Sequence, residues 1–266
     1  MKKYEFTGET KQIQRLSGTV TLHRIRAVVE FGFVKVGELG GWIEKEENLS
    51  HEGNAWVSDN AEVYGSAKVY GSAWVSGNAK VYGSAWVCGN AKVCGNAKVG
   101  DNAKVYGSAK VYGSAWVCGN AKVCGNAKVG DNAKVCGNAE VYGNAEVYGS
   151  AEVRGNAKIY GSAEVYGSAE VRGNAWVGDN AKIFSTSHVL VIGAIGSRDD
   201  FTTCYRDKDN EITVKCGCFL GKIDKFLEKV TQTHGDSKHA LVYRAAVEVA
   251  KLQIDLTGEA PEKDNE

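Results

Sequence analysis

The sequence predicts a mainly β protein whose centre is a parallel β-helix of six-residue repeats. Three observations predict it. From Gly53 to Phe184 the chain runs as 22 consecutive hexapeptides without insertion or deletion. The third position of each is always Ala and the fifth always Val or Ile. The chain holds 33 Gly and one Pro, where ordinary usage is about 7% and 5%. That balance suits a chain that turns tightly and often but never interrupts its backbone ladder.

The repeat reads (Gly/Asp)-(Asn/Ser)-Ala-x-(Val/Ile)-y, with x restricted to Lys, Glu or Trp. Ala and Val lie two apart, so in an extended chain they share one face while x and y share the other. Each hexad is therefore a short strand with an apolar inner face. Gly or Asp followed by Asn or Ser supplies the turn, because these residues tolerate positive φ or bond their own backbone. A helix is excluded, since a period of six does not keep Val on one stripe at 3.6 residues per turn. Val in the strand and Ala near the corner suit a narrow core.

This pattern, as in VGDNAK at Val99–Lys104, resembles the hexapeptide-repeat left-handed β-helix family. The resemblance implies three hexads per triangular coil of 18 residues, hence about seven coils and a rod roughly 35 Å long at the rung spacing of parallel strands. It also implies left-handedness, against the general crossover preference, and a homo-oligomer, with a trimer through flat faces favoured. The enzymes of this family use a coil His as general base and a loop excursion at a trimer interface. Here the hexads contain no His: His23, His51, His188, His234 and His239 all lie outside them, and no loop interrupts the coils. The expectation is therefore no catalytic residues, no metal site and no cofactor.

Residues 18 apart stack in this scheme. The outward x rows place Trp74, Lys92, Lys110 and Lys128 on one face, Lys80, Lys98, Trp116 and Lys134 on the next, and Trp86, Lys104 and Lys122 on the third. The rod is basic in its first part and mildly acidic after Gly137, although Lys plus Arg equals Asp plus Glu for the whole chain. Lys interleaved with aromatics is the composition of single-strand nucleic-acid grooves, so these residues are the candidate anion- or partner-binding ladder. Solvated Lys rows that discourage edge association are the plain alternative. The segment SAWVCGNAKVCGNAKVGDNAKV occurs at Ser84–Val105 and again at Ser114–Val135. The offset of five hexads turns the second copy onto a different face, which argues against a site tied to one face.

No signal-peptide-like apolar run and no stretch of roughly 20 apolar residues is present. The reading is a protein of the cytoplasm, of the host cell if phage-encoded, that does not engage membranes, with eight cysteines mostly reduced. Cys88, Cys94, Cys118, Cys124 and Cys136 sit at y and should face outward; Cys118 and Cys136 stack on adjacent rungs and could bridge on oxidation. Cys204, Cys216 and Cys218 read as buried thiols.

Three regions follow: a cap over 1–52, the β-helix over 53–196 and a C-terminal module over 197–266. In the cap, Trp42, Ile43 and Leu49 could close the core. The run STSHVLVIGAIGS after Phe184 reads as a last irregular coil. Phe201–Tyr205 and Glu211–Cys216 read as a hairpin. Ile223, Phe226, Leu227 and Val230 have amphipathic helical spacing, Ser237 can cap a second helix, and Lys263–Glu266 should fray. The leader GELGGWIEKEENLS, the rod and this tail together resemble uncharacterised phage and prophage repeat proteins. The functional expectation is a non-enzymatic scaffold or binding protein, with the C-terminal module as a place for a protein partner. Nucleic-acid binding by the Lys and aromatic ladders is the main rival, and hexapeptide acyl transfer the other.

Overall fold

The computed structural model describes residues 2–15 and 18–261. A long hairpin, β1 (Tyr4–Arg15) and β2 (Gly18–Ala27), is followed by β3 (Leu39–Ile43). Twenty-two two-residue strands then run from β4 (Trp56–Val57) to β25 (Lys182–Ile183), one per hexad. They pair in parallel at a register of 18, as in Lys92 with Lys110 and Val93 with Val111. Three sheets form the walls of a solenoid of about eight turns. Every hexad Ala and every Val or Ile is fully buried or nearly so. One apolar column therefore runs the length of the rod.

The first hexad position takes positive φ throughout, and at most turns the residue is Gly. At Asp59, Asp101, Asp131 and Asp179 it is Asp, with φ of 51–57°. At Asp59, Asp101 and Asp131 the structure supplies a reason for this exchange. Asp101 Oδ2 accepts the Gly119 N–H at 3.0 Å and Asp131 Oδ2 accepts that of Gly149 at 2.8 Å. The carboxylate thus offsets the poorer backbone fit with a charge-assisted bond to the next coil. Three of these Asp residues follow a y-position Gly, and there a Tyr one coil earlier folds over the glycine. A Cβ at Gly100, Gly130 or Gly178 would lie 2.4, 2.3 or 2.1 Å from the ring of Tyr82, Tyr112 or Tyr160. Along one corner, Asn102, Asn120, Asn138, Asn156 and Asn174 form a continuous amide ladder with N···O distances of 3.0–3.2 Å.

A solenoid leaves unpaired backbone groups at each end. At the N-terminal end side chains replace the missing coil. The buried Lys3 ammonium donates to Ala55 O at 2.7 Å and Gly53 O at 3.4 Å. Asn48 Nδ2 donates to Ala67 O and Gly65 O. Ile43 and Leu49 plug the core as expected. Trp42 does not: it faces outward on β3 beneath Lys11 and Arg24 of the hairpin. β3 pairs in parallel with β5 (Glu62–Val63), so the solenoid begins inside the region read as cap. The hairpin is tied down where Lys11 and Lys80 both bond the buried Glu62 at 2.9 Å. Burial works to raise that carboxyl's pKa, but the two ammonium groups hold it below the usual range.

The C-terminal end departs from expectation. STSHVLVIGAIGS is not a coil: Val189–Ile195 is strand β26 of an antiparallel four-stranded sheet with β27 (Asp200–Arg206), β28 (Ile212–Cys216) and β29 (Phe219–Lys222). Its irregular apolar content fits the edge of a new sheet as well as a drifting hexad, so pattern alone could not separate them. Helices α1 (Ile223–His234) and α2 (Lys238–Gln253) cover the sheet's far face, α2 capped by Ser237. Thr203 Oγ1 accepts the Trp176 N–H and Tyr205 donates to Gly178 O, sealing the last coil. The expected fraying tail, Lys263–Glu266, lies outside the described residues. Among the described residues no helix is long and apolar enough to cross a membrane.

Two outcomes test this packing. Gly130→Ala should destabilise the protein by about 1–3 kcal/mol through the clash with Tyr112. Adding Tyr112→Ala should recover most of that loss in a denaturant double-mutant cycle. The second concerns His188, 1% exposed, whose pKa burial and the Arg206 cation push down to about 4. Between the ordinary imidazole value and about 4, the unfolded chain takes up a proton that the folded chain refuses. Stability should therefore fall as pH drops through that window, by about 3 kcal/mol at most. His188→Gln should flatten that part of the pH–stability curve.

Candidate functional site

The candidate ladder does not converge. Lys92, Lys110, Lys128 and Trp74 lie on one wall, Lys80, Lys98, Lys134 and Trp116 on a second, Lys104, Lys122 and Trp86 on the third. Lys80 is bound to Glu62. Lys122, Lys128 and Lys134 each bond the Glu one coil on, Glu140, Glu146 and Glu152, at 2.7–3.0 Å. Lys104 covers the Trp86 ring at 4.8 Å. Lys92 stacks between Trp74 and Lys110, and Lys98 between Lys80 and Trp116. Glu and Trp neighbours relieve part of each row, while Lys92–Lys110–Lys128, Lys80–Lys98 and Lys104–Lys122 leave like charges on adjacent rungs; each pair contributes modestly at such exposure.

Chemistry-bearing residues gather instead between the C-terminal sheet and α1. A cavity of about 320 Å³ is lined by Ser197, Arg198, Cys216, Cys218, Phe219, Phe226, Lys229, Val230, Thr233, His234 and Tyr243. α1 supplies Phe226, Val230 and His234 from one face, at helical spacing. Its end at Gly235 leaves the imidazole at the cavity mouth. The turn after β26 supplies Ser197 and Arg198, and the β28–β29 turn supplies Cys218. Gly196 takes φ 71°, and a Cβ there would fall 2.0 Å from Tyr243 Cζ. Only glycine lets the turn close over that ring.

A polar string crosses the cavity. Thr202 Oγ1 donates to Cys216 Sγ at 3.3 Å. The Tyr243 hydroxyl lies close to Cys216 and Ser197. Ser197 Oγ lies 3.4 Å from His234 Nε2. Burial raises the Tyr243 pKa, so its hydroxyl stays protonated at neutral pH. Arg198 lies beside Cys218, Nη2 to Sγ 3.9 Å, and Lys229 adds a second cation. The arrangement combines apolar walls, a half-exposed imidazole facing a hydroxyl, and two cations for an anionic group. Cys204 is buried, its thiol pushed up to about 12 by burial, as the sequence suggested. Cys216 is only half-buried and Cys218 is exposed, which corrects the expectation of three buried thiols.

His51 and His188 are less suited to proton transfer. His51 Nδ1 accepts the Lys3 N–H at 3.3 Å, and its Nε2 is buried, 3.8 Å from Glu46. His188 is enclosed between Phe184 and Arg206. Ser197, Arg198 and Tyr243 carried no sequence signal, because no motif links three residues brought together only by folding. His234 was legible only as a helix stop.

Comparison with known proteins gives two matches. A family described as the YdcK β-solenoid repeat matches residues 73–89. An Escherichia coli (strain K12) protein named "Uncharacterized acetyltransferase YdcK" is 36% identical over 67 residues, which is 24% of this chain and 21% of that protein. The chain therefore aligns with about a fifth of the curated relative's length. This match overturns the expectation of a non-enzymatic scaffold or binding protein. Neither the lack of His and of a loop within the hexads nor the phage-like layout excludes catalysis, because an imidazole can be presented by an end module as well as by a coil. The solenoid and the matched repeat together make this chain a repeat β-helix protein.

Proposed function

We propose that the protein is a β-solenoid acyltransferase whose reaction centre lies in the C-terminal module rather than on the coils. The relative named an acetyltransferase supports the reaction class. The observation that carries the location is His234 Nε2, 3.4 Å from Ser197 Oγ at the mouth of a cavity with apolar walls and a cationic rim. His234 accepts the proton of an acceptor amine or hydroxyl as that nucleophile attacks a thioester carbonyl, and returns it to the departing thiolate. Ser197 holds the imidazole in position through its hydroxyl. Phe219, Phe226 and Val230 exclude water from the acyl chain, and Arg198 and Lys229 attract the donor's negative charge. Assembly as a trimer is a separate proposal, which native mass spectrometry would check.

The test is thiol release from acetyl and longer acyl thioesters across a panel of amine and hydroxyl acceptors. Turnover by the native chain should fall by about 10²-fold or more in His234→Gln, as expected for loss of a general base. It should persist in His51→Gln. Equal turnover in His234→Gln and the native chain would remove the C-terminal site. No thioester consumption with any acceptor would remove the reaction class.

A further inference from the structure

The outer corner that carries Tyr64, Tyr82, Gly100, Cys118, Cys136, Arg154 and Arg172 contains a pair of thiols with no counterpart elsewhere on the described rod. Cys118 and Cys136 occupy the same position on consecutive coils and are joined, with Cα atoms 4.7 Å apart. That separation is the rung spacing of a parallel ladder and also lies within the range a disulfide spans. The ladder sets it, not the bond: Cys118 N–H donates to Val135 O and Cys136 N–H to Val153 O, both at 2.9 Å. The two sulfurs therefore stay neighbours whether oxidised or reduced, and both residues are half-exposed.

The remaining rod cysteines lack this arrangement. Cys88 and Cys124 share a corner but are separated by Tyr106 on the coil between, and Tyr70 and Tyr106 lie beside Cys88 and Cys124. Two rungs are about 9.5 Å, beyond the roughly 7 Å limit for a bridge. Cys94 sits between Ser76 and Tyr112 of its own corner. The pair also occurs where the duplicated segments part. Val105 ends one copy and is followed by Tyr106; Val135 ends the other and is followed by Cys136. The first residue past the copied block thus supplies the second thiol and places it over Cys118.

We propose that Cys118 and Cys136 are a reversible redox site on the outer wall of the solenoid, a dithiol that exchanges with low-molecular-weight disulfides. One thiolate attacks the small disulfide, forming a protein–small-molecule disulfide and releasing one thiol. The neighbouring thiolate attacks that mixed disulfide, forming the Cys118–Cys136 bond and releasing a second thiol. The two protein sulfurs are oxidised by two electrons and the small disulfide is reduced to two thiols. The fixed rung spacing makes the second step intramolecular and geometrically prepared, so the mixed disulfide does not accumulate. The closed bond staples consecutive coils at mid-rod, next to the Lys134–Glu152 ion pair.

The full chain is reduced, exposed to oxidised glutathione, alkylated and mapped by peptide mass spectrometry. The expected result is a Cys118–Cys136 linked peptide lacking two hydrogens, with Cys88, Cys94 and Cys124 alkylated or carrying glutathione. In Cys118→Ser, Cys136 should end as a stable glutathione adduct. That variant keeps a side chain the repeat already tolerates, since Ser58 and Ser76 hold the same hexad position. Amide exchange near residues 116–137 should slow in the oxidised form relative to the reduced one. Recovery of Cys118 and Cys136 both alkylated, or both carrying glutathione, would overturn the proposal. So would an intramolecular bridge between other rod cysteines at equal yield.

Discussion

The backbone ladder that closes on itself every 18 residues governs the rest of this structure. It brings each residue to one rung's distance from its counterparts in the coils before and after. Inside, the walls approach so closely that Ala and Val fill the space, and the pattern cannot vary without a void or a clash. Outside, the same spacing turns each position into a column in which every side chain has two obligatory neighbours. Lys meets Glu, Trp or another Lys, Asn meets Asn, Tyr lies over Gly or Tyr, and at one point Cys meets Cys. These pairings are weak singly. They recur along the rod because the ladder has already met the entropic cost of bringing the partners together.

A ladder of this kind is complete only in its middle, so its ends carry the least repetitive chemistry. At the N-terminal end an ammonium and a carboxamide stand where strands would, and a hairpin is fastened by its Lys11 ammonium on a buried carboxylate of the rod. At the C-terminal end a new antiparallel sheet turns one face to the last coil and the other to two helices. That second face is free of the repeat's demand for small residues. Bulky aromatics, a positive-φ glycine and an imidazole can meet there, which explains why the candidate site lies off the coils.

The rod was almost fully legible in the sequence. The third and fifth hexad positions are buried without exception, and the offset of 18 names each residue's neighbours, including the partner of Cys118. The helices were legible from the spacing of Ile223, Phe226 and Val230 and from the cap at Ser237. Legibility failed where contacts are not periodic. Val189–Ile195 has the composition of either a coil or a sheet edge, and only its pairing with β27 decides. Trp42 has the character of a core plug, yet the hairpin basic residues that cover it lie about 20–30 residues earlier in the chain. Ser197, His234 and Tyr243 come from a turn and two helices with no spacing rule between them. The absence of His from the hexads was read correctly, but it bears on where chemistry can occur, not on whether it does.

The triangular cross-section has a consequence for how such a chain can change. Each hexad advances the path by one wall, so three hexads add a rung of height and restore the original heading. One or two hexads add less height and also swing everything downstream around the axis by a third or two thirds of a turn. Length and heading are thus coupled in steps. Expansion by five hexads, the offset between the two identical segments, would have re-aimed the C-terminal module relative to the N-terminal hairpin while leaving every interior contact unchanged. A lineage of such rods can therefore sample new orientations of its two ends without disturbing the core, a freedom that packed globular domains do not have.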